Sequence, residues 1–289
     1  MPFNQFGGRS NASCIDAGLS LTHDIHEGRR KGLVSSFLAI DIKGFFNHVN
    51  HERMISVLWN KGFPPEICTW VSSFLSDRKV RIRIDDYTSP LANLRIGVPQ
   101  GSPASPILSC IYSSKVIETF NANPTFTGVN LPIAPRSYID DIGFLAISDS
   151  LEENMITLNH TLSKAESLFK SIGMTIDPDK CDLMHFSWRK SHNSSPSLRT
   201  HINNLPITIT PPKYIRWLGF YLDRKLSFKD HISIMAAKGS NVVSGLTCLG
   251  NTVVGMNHIN LCLLYKTCVS QFSLTVVNSG IDQTILKPV

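Results

Sequence analysis

The chain reads as an α+β protein, with helices on one face of an antiparallel sheet and a helical appendage after it. Three observations point there. Val80, Ile82 and Ile84 alternate with Arg81 and Arg83, the period of a half-buried strand with a basic face. Leu151, Met155, Leu158, Leu162, Ala165, Phe169 and Ile172 recur at steps of three and four, the apolar stripe of a long helix. Strands and helices also come in mixed order, without the regular alternation of a parallel sheet. The 289 residues, 42% hydrophobic, are enough to bury a core in one large domain or two small ones.

Residues around 12–32 read as a helix ending in Arg29, Arg30 and Lys31 before Gly32. Phe37-Leu-Ala-Ile-Asp41 is a short apolar run ending on a charge, as a buried strand delivers a functional group at its edge. A helix follows over about 52–61, with Gly62 just past its end. Another opens at Pro64-Pro65, where proline fits a first turn, and carries Ile67, Trp70, Val71 and Phe74. Asp85-Asp86 marks a hairpin turn after the alternating run. Gly97-Val-Pro-Gln-Gly-Ser-Pro-Ala-Ser-Pro106 is a turn-rich loop leading into a helix with Leu108, Ile111, Tyr112, Val116 and Phe120. Ser150 with Glu153 forms a capping box for the long helix, and Gly173 ends it. Residues 187–200 read as a polar linker or hairpin loop. Two strands at about 205–210 and 214–222 follow, and from His231 the pattern is helical.

The formal net charge of +6 suits an anionic partner. The seven cysteines are scattered, without zinc spacing, and read as reduced, mostly buried thiols of an intracellular protein in nucleus or cytoplasm. No signal pattern opens the chain, and no stretch approaches a membrane span, so no membrane partner is expected. Both ends look cut, as in a fragment of a larger protein. His48 and His51 flank a helix start and read as surface or capping residues.

Tyr138-Ile-Asp-Asp141 lies between β-favouring runs, so the two carboxylates sit at a tight turn. Adjacent like charges repel unless a cation lies between them. A hard divalent ion prefers such oxygens. The pair alone is equally a solvated turn, like Asp85-Asp86. Asp41 is the third carboxylate. If its strand neighbours the hairpin, three carboxylates meet at one sheet edge, enough to hold two divalent ions for in-line phosphoryl transfer.

Asp41-Ile-Lys-Gly-Phe-Phe46, Gly97-Val-Pro-Gln-Gly-Ser-Pro103 and Tyr138-Ile-Asp-Asp141 resemble, in that order, the three central motifs of reverse transcriptases. Gly173-Met-Thr-Ile-Asp-Pro-Asp-Lys180 and Trp217-Leu-Gly-Phe-Tyr-Leu-Asp223 resemble the next two. Gln5-Phe-Gly-Gly-Arg-Ser resembles a fingers motif. Gly62-Phe-Pro, the 70–78 stretch and Leu226-Ser-Phe-Lys-Asp-His-Ile232 are similar to the enzymes of non-long-terminal-repeat retrotransposons. Five motifs in order over about residues 5–235 are highly specific; one alone is weak.

The resemblance implies a right-hand polymerase palm with partial fingers (1–36), palm (37–225, fingers insertion at about 62–96) and a partial helical thumb (226–289). It implies RNA-directed DNA polymerase activity of a mobile element, joining dNTPs to a primer 3′-hydroxyl on an RNA template. Two Mg²⁺ ions, or Mn²⁺ in their place, would be held by Asp41, Asp140, Asp141 and the backbone of Ile42. Lys180 would be the general acid toward pyrophosphate, although a solvated lysine fits its position equally. Phe46 would exclude the 2′-hydroxyl, with Phe45 in the core. Gln100 and Gly101 would lie by the template–dNTP pair, Tyr138 by the primer end, and Trp217, Leu218 and Gly219 in the primer grip, although an ordinary strand also fits those three. Arg81 and Arg83 would contact phosphates, although a solvated face is as consistent. The upstream fingers strands are missing, and Arg9 with Arg29–Lys31 would stand in for them in part. Partners would be RNA template, DNA primer and dNTPs, with endonuclease and RNase H regions in a longer parent. The alternatives are a degenerate, non-catalytic RNA-binding domain, a viral RNA-dependent RNA polymerase, which usually carries Gly before the Asp pair, and a group II intron maturase.

Overall fold

A computed structural model describes residues 1–122, 133–188, 195–250 and 255–270. Helix α1 (Cys14–Arg30) starts at Ser13, whose hydroxyl accepts from the Asp16 N–H while Asp16 accepts from the Ser13 backbone. Strand β1 (Val34–Ile40) follows, then α2 (His51–Asn60) and α3 (Pro65–Leu75). Four two-residue strands come next: β2 (Lys79–Val80), β3 (Arg83–Ile84), β4 (Tyr87–Thr88) and β5 (Ala92–Asn93). They are nested, with β2 on β5 and β3 on β4. Helix α4 (Ala104–Ala122) precedes the hairpin of β6 (Ile133–Tyr138) and β7 (Asp141–Ser148). Then come α5 (Leu151–Ser171), β8 (Asp182–Phe186), β9 (Leu198–Ile202), β10 (Leu205–Ile209), β11 (Tyr214–Trp217) and β12 (Phe220–Asp223). Helices α6 (Lys229–Leu249) and α7 (His258–Leu264) follow.

The central sheet is antiparallel, in the order β6-β7-β1-β8. Alternation along β1 divides the core in two. Leu38 and Ile40 face the cluster built with α2, α3, α4 and α5, beside Phe144 and Leu162. Phe37 faces the opposite cluster, with Leu21 and Ile25 of α1 and with Trp217 and Phe220. So α4 and α5 cover one face, and the other is covered as well, by α1 and the β11–β12 hairpin. Gly143 on β7 makes room for Phe37: a Cβ there would stand 2.1 Å from the ring.

Several expectations need correction. The 79–84 run is two short strands with a break, and Val80, Ile82 and Ile84 are exposed, so it is not half-buried. All eight residues of the four strands in this insertion are exposed. The polar 187–200 stretch contains β9, while residues 189–194 lie outside the described residues. The single strand at 214–222 is a hairpin, because Leu218 and Gly219 both take positive φ and turn the chain. Of seven free cysteines, only Cys68, Cys110 and Cys181 are buried, while Cys248, Cys262 and Cys268 are exposed. Helix α6 is long and apolar enough, by length and composition, to cross a membrane. It also packs through its first turns, where His231, Met235 and Gly239 are buried.

Candidate active site

The register of the central sheet brings the three acidic residues together. Ile40 pairs with Ile142, so Asp41, the first residue past β1, lies opposite Asp141, the first residue of β7. Asp141 in turn pairs with Tyr138 across the turn that holds Ile139 and Asp140. The turn is strained, since β-branched Ile139 takes φ +59°. Past β1 the chain is fastened to the segment before β8. Lys43 N donates to Thr175 O and Asp177 N to Asp41 O, both at 2.9 Å, and Ile42 bridges Ile176. That zipper brings round Lys180, whose Nζ donates to Asp41 Oδ2 at 2.9 Å. The main chain of Ile42 therefore lies next to the carboxylate triad.

The three carboxylates feel one another electrostatically. Burial raises the Asp140 pKa above the usual carboxylate range; the Asp41 charge adds to the rise and Lys180 opposes it. Asp141 is pushed up to about 6, first by burial and then by Asp140 and Asp41, with Lys180 and Arg216 opposing. The Lys180 pKa is raised, chiefly by its hydrogen bond to Asp41. Among the described residues no group of three or more carboxylate, imidazole or thiol side chains already stands together as a metal cage. Sheet register brings these three to one edge, against their mutual repulsion. An all-oxygen donor set, half shielded from water, whose charges raise the pKa of Asp140 and Asp141 despite Lys180, fits a hard divalent cation.

Phe46 and the glycine-rich loop form one unit beside this centre. Gly44, at φ +57°, starts a tight helical turn, Phe45–His48, so this segment is not extended. Phe45 is buried, as expected, and Phe46 is half-buried, edge-on to it at 5.6 Å. Val98 N donates to Phe46 O at 2.8 Å and Gly97 N to Val49 O at 2.7 Å. The Gly97 carbonyl is held twice more, by His51 Nε2 at 2.8 Å and Arg78 Nη1 at 2.6 Å. His51 is therefore a loop anchor rather than a cap; Asn50 caps α2. Gln100 is exposed, and Gly101, at φ +91°, has open space beside it.

Other expected residues lie farther out. Tyr138 is half-buried at the hairpin turn. The Trp217 side chain is buried under the sheet, edge-on to Phe37 at 5.0 Å, while Leu218 and Gly219 form the hairpin turn. Arg81 and Arg83 are exposed on the nested insertion. The stand-in role for Arg9 and Arg29–Lys31 does not hold. Arg9 Nη1 is taken up by the carbonyls of Pro2, Phe3 and Gln5. Arg29 stacks on Trp188 at 4.2 Å, beyond the start of β1 and so at the opposite end from Asp41. Two features escaped the sequence reading. Arg216 acts on Asp141 from β11, and its one signal is its outward place in the alternation beside inward Ile215 and Trp217. The N-terminal segment pairs with β6, with Phe6 N donating to Ser137 O at 2.8 Å.

The sheet, its turn and the flanking helices define a right-hand polymerase palm. The solved structure of telomerase from Candida Tropicalis in complex with a fragment of telomeric RNA shares this fold. Its TM-score is 0.53 at 11% identity, covering 94% of this chain and 43% of that one. The family model described as reverse transcriptase (RNA-dependent DNA polymerase) matches residues 1–222, and the chain belongs to that family. It is 28% identical over 204 residues to the RNA-directed DNA polymerase from mobile element jockey of Drosophila melanogaster, covering 69% of this chain and 20% of that protein. The probable RNA-directed DNA polymerase from transposon BS of the same fly is 26% identical, covering 80% and 25%. The Pol polyprotein from the type-1 retrotransposable element R2 of Popillia japonica is 26% identical, covering 56% and 26%. The chain thus spans about a fifth to a quarter of the length of these relatives.

Proposed function

We propose that this chain is the polymerase core of an RNA-directed DNA polymerase of a mobile element. It would join dNTPs to a primer 3′-hydroxyl on an RNA template. One observation carries the reading: the sheet register sets Asp41 opposite Asp141, with Asp140 at the same turn, so that three carboxylates converge on one sheet edge. Asp41, Asp140, Asp141 and the Ile42 backbone would hold two Mg²⁺ ions, or Mn²⁺ in their place. Bound there, the ions would supply charge neutralisation and a more acidic primer hydroxyl. The chain's own groups do the rest. Lys180 carries a proton within reach of the Asp41 side of the site and would give it to the departing pyrophosphate. Phe46 would close the space beside the sugar. The Gln100–Gly101 backbone would lie against the nascent base pair, and Tyr138 and the Trp217–Gly219 turn would seat the primer. Arg81 and Arg83 would meet template phosphates. The domain limits at 36/37 and 225/226 are part of this reading, with α6 and α7 in the thumb, as are endonuclease and RNase H regions in a longer parent and a location in nucleus or cytoplasm. Primer extension on an RNA template with Mg²⁺ and dNTPs tests it. Product from the unaltered protein and none from Asp140→Asn is the expected result; undiminished product from Asp140→Asn refutes it.

A further inference from the structure

The N-terminal segment forms a strap across the turn that carries Asp140 and Asp141. β6 is an edge strand, so its outer N–H and C=O groups are open to pairing. The strap takes two of them: Ser137 N donates to Asn4 O at 2.9 Å and Phe6 N to Ser137 O at 2.8 Å. Gln5 pairs there in parallel and is fully buried. Its Nε2 donates to Gly7 O at 3.0 Å and to Cys110 Sγ on α4 at 3.4 Å. The Cys110 thiol donates back to Gly7 O at 3.7 Å. Arg9 Nη1 gathers the carbonyls of Pro2, Phe3 and Gln5, so the strap also has its own internal brace.

Gly7 is where strap and turn touch. A Cβ on it would stand 2.7 Å from both the N and Cγ1 of Ile139, and 3.1 Å from the Tyr138 carbonyl carbon. Ile139 is the strained residue of the turn, and Asp140 follows it directly. A strained backbone persists only where its surroundings over-determine it. The sheet ladder ends at the Tyr138–Asp141 pair, which closes the loop but makes no contact of its own with Ile139 and Asp140 inside it. The strap, packed on Ile139 at Gly7, and Cys110, whose thiol is hydrogen-bonded at the Ile139 backbone, add to that constraint.

We infer that Gln5 and Gly7 are positioning residues of the polymerase centre: the strap they anchor holds the turn at Ile139 and thereby aims the carboxylates of Asp140 and Asp141. The inference rests on the polymerase reading above. Their contacts are with the strap, Cys110 and Ile139, so their loss should misplace the carboxylates while leaving nucleotide binding largely intact. The test compares Gly7→Ala and Gln5→Ala in the intact protein with Leu58→Ala, a cavity variant in the buried face of α2. Both strap variants should lower the rate of nucleotide addition at saturating dNTP by about tenfold or more, with the dNTP KM within about twofold. Both should raise the half-saturating Mg²⁺ concentration and speed amide hydrogen exchange over residues 136–142. Leu58→Ala should lower Tm and do none of these. Unchanged rate and exchange in Gln5→Ala, or the same rate loss in Leu58→Ala at equal Tm, overturns the inference. If Gly7→Ala does not fold, Gln5→Ala decides, because it leaves the strap's backbone pairing in place. If the unaltered protein extends no primer, the polymerase reading falls, and exchange over 136–142 alone decides whether the strap holds the turn.

Discussion

Asp141 carries a cost that a metal would relieve. Its pKa of about 6 in the folded chain stands above the ordinary 3.8, so between those values the folded state holds a proton that the unfolded state has lost. The group's contribution to stability is therefore present below 3.8 and lost as pH rises through about 6. Asp141→Asn removes the repelled charge. In chelator it should raise Tm at pH 8 and leave it nearly unchanged at pH 4; no rise at pH 8 would contradict this. Phe46 poses a separate question of space. Its ring is half-buried edge-on to Phe45, and its backbone is tied to the glycine-rich loop through Val98. Phe46→Ala should admit ribonucleotides, measured as the ratio of rNTP to dNTP kcat/KM. An unchanged ratio would show that the ring does not select the sugar.

At the scale of elements, β1 is the hinge of the architecture, with β7 and β8 on its two edges and a packed core on each face. Phe37 lies so close over Gly143 that an added Cβ would overlap its ring. Gly143→Ala should destabilise by about 1–3 kcal/mol through overpacking, measured by urea unfolding. Phe37→Leu in the same chain should recover part of the loss. Elements with a clear periodic face were legible in the sequence. The long helix α5 is an example, because seven apolar residues at helical spacing admit one structure. Strand β9 was not legible, because it follows a polar stretch whose composition signals a loop. The exposed insertion 79–93 was misread because alternation reports a pleat and does not report whether anything packs against it.

At the scale of the whole molecule, the site was legible through its motifs and only partly through its geometry. Asp41 ends an apolar run, and Asp140-Asp141 sit between two others. The register that joins them pairs strands about a hundred residues apart, which no local pattern encodes. The strap and Arg216 were missed for the same reason. Overall charge makes its own prediction. A chain of net +6 with Arg81 and Arg83 exposed should bind single-stranded RNA less tightly as salt rises. Replacing both arginines by alanine should flatten the log–log slope by about 1–1.5; an unchanged slope would remove them from the interface. The central place of β1 also sets a schedule for synthesis. Its partners, Asp141–Ser148 and Asp182–Phe186, both come from later in the chain. At ribosomal speeds the first strand waits roughly 5–20 s for the hairpin that will pair with it. Until then Val34–Ile40 is an apolar ribbon with two open edges on a nascent chain. Helix α1, made just before it, packs on Phe37 in the folded chain and is the one partner of β1 already available in that interval.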